Sequence, residues 1–262
     1  MLETAGLTKR FGGLTAVDSV DFALAEGELC SLIGPNGAGK TTFFDLLTGT
    51  LEPTAGTVTL DGEDVTGLAP HATARRGLHR SYQVTNVFPT SSVLENVRVA
   101  AQAHGADSFK AWRNVGTFDE YYDEAYDVLE RVGLASKAEL PADSLSHGEK
   151  RQLEVAVALA GDPEVLLLDE PNAGVSSESV DDIIALIEDV ATDHAVLLVE
   201  HNMDIVMNVS DRIVVLNRGA VIADGTPDEV RGDPAVQEAY LGGYEPGDLA
   251  DDGEETPAEG SA

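Results

Sequence analysis

The chain has 262 residues, 43% of them hydrophobic, and carries 47 acidic residues against 16 basic ones, a net charge of −31. That length allows one large domain or two small ones, and no apolar run approaches the ~18 residues that suggest a membrane span. Phosphate-backbone binding wants clustered Lys and Arg, so the charge excludes nucleic acid as the default partner; the acidic excess matches proteins working in concentrated salt, where carboxylate repulsion is screened.

The opening "MLETAGLTKRF" has no basic region followed by an apolar one, so no secretory signal is expected and the cytosol is. "VDSVDFALAEGE" (17–28) puts Val20, Phe22 and Leu24 on one face of a strand, with a turn at Glu26-Gly27. "ELCSLI" (28–33) is continuously apolar, as a strand covered on both faces should be, and its Cys30 reads as a small core residue. "KTTFFDLLTG" (40–49) predicts a helix stopped by Gly49, and "EPTAGTVTLDGEDV" (52–65) a turn and hairpin. "HATARRGLHR" (71–80) predicts a short helix with an exposed basic face. From about 92 to 160 the pattern is helical: "FDEYYDEAYDVLERVGL" (118–134) spaces Tyr122, Ala125, Tyr126, Leu129 and Val132 along one face, and "SHGEKRQLEVAVALAG" (146–161) is a second helix. Strands return at 164–170 and 194–201, then as a hairpin over 211–225 turning at Asn217-Arg218-Gly219. "TPDEV" (226–230) is a capping box with Thr226 as cap. Interleaved strands and helices favour an α/β fold with parallel strands. The acidic tail 245–262 is expected to be disordered.

"GPNGAGKTT" (34–42) sits between a strand and a helix and meets the pattern G-x-x-x-x-G-K-[ST] through Gly34, Gly39, Lys40 and Thr41. Glycines let several N–H groups point inward at a phosphate chain, and the helix start adds its own unpaired donors and positive dipole end. Gly34, Pro35, Asn36, Gly37, Ala38, Gly39, Lys40, Thr41 and Thr42 are therefore expected to bind a nucleotide, with Lys40 on the β- and γ-phosphates and Thr41 on Mg²⁺. "VLLLDEP" (165–171) is a strand delivering acids to the crevice at its carboxyl end. Asp169 is expected to hold Mg²⁺, and Glu170 to act as general base on the attacking water.

"DSLSHGEKRQLEVAVALA" (143–160) is a helix start, with Ser146 and Glu149 forming a capping box. Leu145-Ser146-x-Gly148-Glu149 also resembles the signature motif of ATP-binding cassette (ABC) ATPases. The resemblance implies that Ser146, Gly148 and Glu149 cap the γ-phosphate of an ATP held by a second subunit. Gln83 in "RSYQ" matches the glutamine linking the catalytic core to a helical subdomain and sits with the metal and nucleotide; His201 in "LLVEHNM" matches the switch histidine at the γ-phosphate; Phe11 in "KRFGG" matches the aromatic on adenine. The implied fold is an α/β P-loop NTPase (RecA-like) core with an N-terminal antiparallel β subdomain and an inserted α-helical subdomain. The implied division is one ABC ATPase domain over 1–244, with core at about 1–86 and 162–244 and helical subdomain at about 87–161. Two positions depart from the pattern: His147 stands where Gly is commoner, and Ser176 where a carboxylate is usual.

Within that family the stretches 87–101, 200–230 and "VQEAYLGG" (236–243) resemble the ATPase subunits of branched-chain amino acid importers. That likeness implies ATP and Mg²⁺ as cofactors, and as partners a second ABC ATPase subunit, two transmembrane permease subunits and, indirectly, an extracytoplasmic solute-binding protein. It implies a peripheral place on the cytoplasmic face of the membrane. Val84–Val97, with apolar Val87-Phe88-Pro89, is the expected permease contact. Importers of urea or short amides, and soluble ABC ATPases of the iron–sulfur assembly type, are the alternatives the sequence leaves open.

Overall fold

The computed structural model describes residues 1–81, 87–104, 119–175 and 177–241. Two sheets order the molecule. The first is antiparallel, in the order β2-β1-β4-β5, from β1 (Leu2–Phe11), β2 (Leu14–Leu24), β4 (Ala55–Leu60) and β5 (Glu63–Asp64). Alternation buries Val20, Phe22 and Leu24 of β2 on one face and leaves their neighbours to water.

The second sheet has the order β10-β9-β3-β8-β7-β6. Strands β3 (Leu29–Ile33), β6 (Leu78–Ser81), β7 (Val165–Asp169), β8 (Ala195–Val199) and β9 (Arg212–Asn217) run parallel, and β10 (Ala220–Gly225) returns antiparallel to β9. Every residue of β3, β7 and β8 is buried, because both faces are covered. The period of two splits β7 between two cores. Leu166 and Leu168 pack under the helices α3 (Val93–His104), α4 (Asp119–Arg131), α5 (His147–Leu159) and α6 (Ser177–Ala191). Val165 and Leu167 face the antiparallel sheet and α1 (Lys40–Leu47), with its Phe43 and Phe44. A third cluster joins Ile33, Ile213 and Val215 to Val206 of α7 (Met203–Val209), Val230 of α8 (Pro227–Gly232) and Val236 of α9 (Pro234–Leu241). No helix among the described residues is long and apolar enough to cross a membrane.

The structure corrects two expectations. The helix read over 71–80 is only α2 (Pro70–Ala74); Gly77, at φ 89°, ends the turn, and Leu78–Ser81 is the edge strand pairing with β7. Its Arg80 is not on an exposed basic face: the side chain is 6% exposed and paired with acids. Along α4 the expected seam holds at Ala125 and Leu129 and continues to Val132 just past the helix, with half-buried Tyr122 packed on the same core; Tyr121 is buried beside it, and the departure is Tyr126, which is exposed. β1 was not anticipated. Register shifts between Thr4 and Arg10, with Gly6 at φ 56°, break the alternation that would have marked it.

Candidate functional site

Ligands of parallel α/β sheets bind past the carboxyl ends of the strands, and three such ends meet here. β3 runs into Gly34, β7 into Glu170, and β8 into Glu200-His201. The loop after β3 needs its glycines because its floor is backbone. A Cβ on Gly34 would lie 2.1 Å from the Leu216 carbonyl oxygen, and one on Gly39 2.3 Å from that of Ala16. Gly219 N–H donates to the Ala38 carbonyl at 2.8 Å, so the β9–β10 turn holds the loop from outside. α1 begins at Lys40 with no side-chain cap, which leaves its first-turn N–H groups for an anion.

Lys40 is 7% exposed, and its ammonium donates to the carbonyls of Gly34 at 2.6 Å and Pro35 at 3.3 Å. Burial pushes its pKa down, while Glu170 and Asp169 pull it up. A cleft of about 590 Å³ opens over the loop, lined by Phe11, Asn36 to Thr42, Glu170, His201 and Arg218. Phe11 is exposed and carries the Lys9 ammonium 5.2 Å from its ring centroid.

Glu170 has φ 50°, the left-handed region that a side chain ordinarily avoids, at a cost of about 1–3 kcal/mol. Its N–H donates to the Val199 carbonyl at 2.8 Å, and its Oε1 lies 2.7 Å from His201 Nε2. The bent backbone turns the carboxylate toward the cleft and the imidazole. Glu200, 6% exposed, fixes both loops: it accepts from Asn172 N–H at 3.0 Å, Asn172 Nδ2 at 3.1 Å and His201 N–H at 3.2 Å. Asp169 does not line the cleft; it is buried, and its Oδ2 accepts from Arg80 at 2.6 Å.

The structure thus gathers Phe11, Asn36, Gly37, Ala38, Gly39, Lys40, Thr41, Thr42, Glu170 and His201 around one cleft, while Gly34 and Pro35 do not line it. It does not bring the second motif there. Ser146 caps α5, with its Oγ accepting from Glu149 N–H at 3.3 Å and its N–H donating to Glu149 Oε2 at 2.9 Å. Lys137 pairs with the same Glu149 carboxylate. Gly148 is buried against α6, where a Cβ would meet Ser179 at 3.0 Å, and His147 is exposed. Gln83, Val84, Ser176 and the tail 245–262 lie outside the described residues. Sequence reasoning missed Arg80, Asp45, Glu200 and Asn172. Glu200, next to His201 past the end of β8, was the one with a positional signal.

Comparison with known proteins yields an ABC transporter family model matching residues 17–173, and a model described as branched-chain amino acid ATP-binding cassette transporter matching 220–246. The chain is 44% identical over 253 residues to the high-affinity branched-chain amino acid transport ATP-binding protein BraF of Pseudomonas aeruginosa, covering 92% of this chain and 98% of that one. It is 43% identical over 249 residues to the corresponding protein LivG of Salmonella typhimurium, with the same coverage. Among solved structures, a nucleotide-free ATP-binding cassette from an ABC transporter superposes with a TM-score of 0.81 at 30% identity, covering 92% of this chain and 98% of that one.

Proposed function

Because this chain belongs to the ABC transporter family, we propose that it is the ATP-hydrolysing subunit of an importer for branched-chain amino acids. One observation carries the chemistry: Glu170 and His201 meet at 2.7 Å in the cleft that holds the glycine loop and Lys40. The solute class follows the relatives, which resemble the chain along nearly its whole length.

In this reading adenine stacks on Phe11, the loop N–H groups and the α1 start receive the phosphates, and the Lys40 ammonium leaves its own loop carbonyls for the β- and γ-phosphates. Thr41, Asp169 and Gln83 would hold Mg²⁺, since hydroxyl, carboxylate and amide oxygens are the hard donors this ion takes. Mg²⁺ would supply charge neutralisation on the phosphates. Glu170 takes the proton of the attacking water, and His201 orients Glu170 and the γ-phosphate.

Ser146, Gly148 and Glu149 lie outside this cleft because they serve the nucleotide of a second subunit. The capped start of α5 presents N–H groups and a positive dipole end to the partner's γ-phosphate. ATP then bridges two subunits, and hydrolysis unlocks them. Swinging such a dimer from 1:99 to 99:1 takes about 5.5 kcal/mol of preference for the closed form, within reach of a few charge-assisted hydrogen bonds.

The working unit is one cassette over 1–244, with core at about 1–86 and 162–244, helical subdomain at about 87–161 and an acidic tail at 245–262. The cassette sits on the cytoplasmic face of the membrane beneath two permease subunits. Phe88, 57% exposed, is the contact offered to them; buried Asn96 holds its loop by accepting from Phe88 N–H at 2.6 Å and donating to its carbonyl at 3.1 Å. Cells lacking this chain should lose ATP-dependent leucine uptake, regain it with the wild type and not with Lys40→Ala. Unchanged leucine uptake with loss of urea uptake would move the assignment to the amide importers.

A further inference from the structure

Arg80 lies next to the end of the edge strand β6 with its charge turned inward. Nη1 donates to Asp45 Oδ1 and Nη2 to Asp169 Oδ2, both at 2.6 Å, and the guanidinium lies 5.4 Å from the centroid of the Phe44 ring. Asp45 belongs to α1, the helix the glycine loop opens, and Asp169 is the last residue of β7. One side chain, 6% exposed, therefore ties three elements at the floor of the site. The guanidinium fork suits two carboxylates, and both contacts are charge-assisted. With two carboxylates and one guanidinium the group carries a net charge of −1. Arg80 and Asp169 are nearly shut off from water, so their charges are felt strongly, while Asp45 keeps partial contact with solvent.

Carboxylate oxygens are also what a hard divalent cation takes. Here the two carboxylates share a cation that is part of the chain and is never deprotonated, each on its own guanidinium nitrogen. We propose that Arg80 is the built-in counter-cation of Asp169 and a specificity-determining residue: it denies the Asp45–Asp169 pair to a bare divalent ion, so that metal reaches Asp169 only with a nucleotide. This rests on the reading of Asp169 as the metal carboxylate. Asp169 Oδ2 stays committed to Arg80, and Oδ1 is the oxygen left for a metal. The ion pair also fixes how the strand end that carries Asp169 sits against α1, so Arg80 positions the carboxylate as well as neutralising it.

The test is a Mn²⁺ titration of nucleotide-free protein, followed by electron paramagnetic resonance of the free ion. Molar KCl suppresses diffuse binding to the acidic surface. Wild type should show no specific Mn²⁺ site. Arg80→Met should gain one that binds about tenfold or more tighter than anything in the wild type, and its melting temperature should rise with Mn²⁺. Adding Asp169→Asn should abolish the gain, and Arg80→Lys, which keeps the charge, should stay silent like the wild type. Equal Mn²⁺ binding by wild type and Arg80→Met overturns the proposal, as does a gain that survives Asp169→Asn. If Arg80→Met folds only in Mn²⁺, the proposal stands; if it folds neither alone nor in Mn²⁺, it falls, because the claim is that a divalent ion can replace the guanidinium. Wild-type hydrolysis of MgATP in the same buffer separates the two readings. Hydrolysis without the Arg80→Met gain removes only this proposal, whereas a wild type that neither binds nor hydrolyses MgATP removes the reading of the site.

Discussion

Glu200→Gln is a one-atom change at the point where the two catalytic loops are joined. The carboxylate has three backbone or amide donors on two oxygens: Asn172 N–H and Nδ2 on Oε1, and His201 N–H on Oε2. A glutamine has one oxygen. In its better orientation that oxygen stays with Asn172, and the amide NH₂ faces the His201 N–H, donor against donor. The loss is one charge-assisted hydrogen bond plus a stranded N–H, about 2 kcal/mol. Glu200 is 6% exposed, so water does little to make it good. For a chain of this size that is a fall in melting temperature of about 4–8 °C. Calorimetry in molar KCl should find it. The turnover rate should fall as well, because the His201 backbone is no longer held where its ring meets Glu170 at 2.7 Å. A melting temperature within about 1 °C of wild type, with unchanged turnover, would refute the claim that Glu200 clamps these loops.

Ser146→Ala removes the α5 cap and should cost about 1 kcal/mol of stability, with ATP affinity of the isolated subunit unchanged and hydrolysis lost; equal hydrolysis rates would show that the helix start has no catalytic part. His79 places Nδ1 2.9 Å from the Ala158 carbonyl and Nε2 2.9 Å from that of Ala74, in a space that exists because residue 161 is glycine. Burial holds its pKa below the usual imidazole value, and the two carbonyls only partly offset that. A folded pKa below the unfolded one means stability that is complete above about pH 6.5 and lost as the pH falls. The melting temperature of wild type relative to His79→Leu should therefore drop between about pH 7.5 and about pH 5, and a constant difference would contradict it.

Local patterns made much of the fold legible. Continuous apolar runs marked β3, β7 and β8, because strands covered on both faces have no polar side. Capping boxes at Ser146 and Thr226 marked two helix starts that the structure reproduces hydrogen bond by hydrogen bond. Where signals were not local, the sequence misled. The bulges of β1 broke its alternation, and β6 is a strand only because β7 pairs with it. The glycine loop and Glu170 could be read because their chemistry depends on residue type and short spacing, whereas His201 became legible only through the resemblance to the ABC ATPases. Arg80 and Asp45 could not, since what makes them matter is a contact between residues 35 and 89 positions apart in the chain.

The central claim is that ATP held by the glycine loop of one subunit is completed by the Ser146 helix of another. Light scattering on size-exclusion chromatography tests it most directly, with Glu170→Gln, ATP and Mg²⁺ in molar KCl. The account predicts a stable dimer that traps ATP and that falls apart when Ser146→Ala is added. A Glu170→Gln subunit that stays monomeric and hydrolyses ATP at the wild-type rate would contradict it.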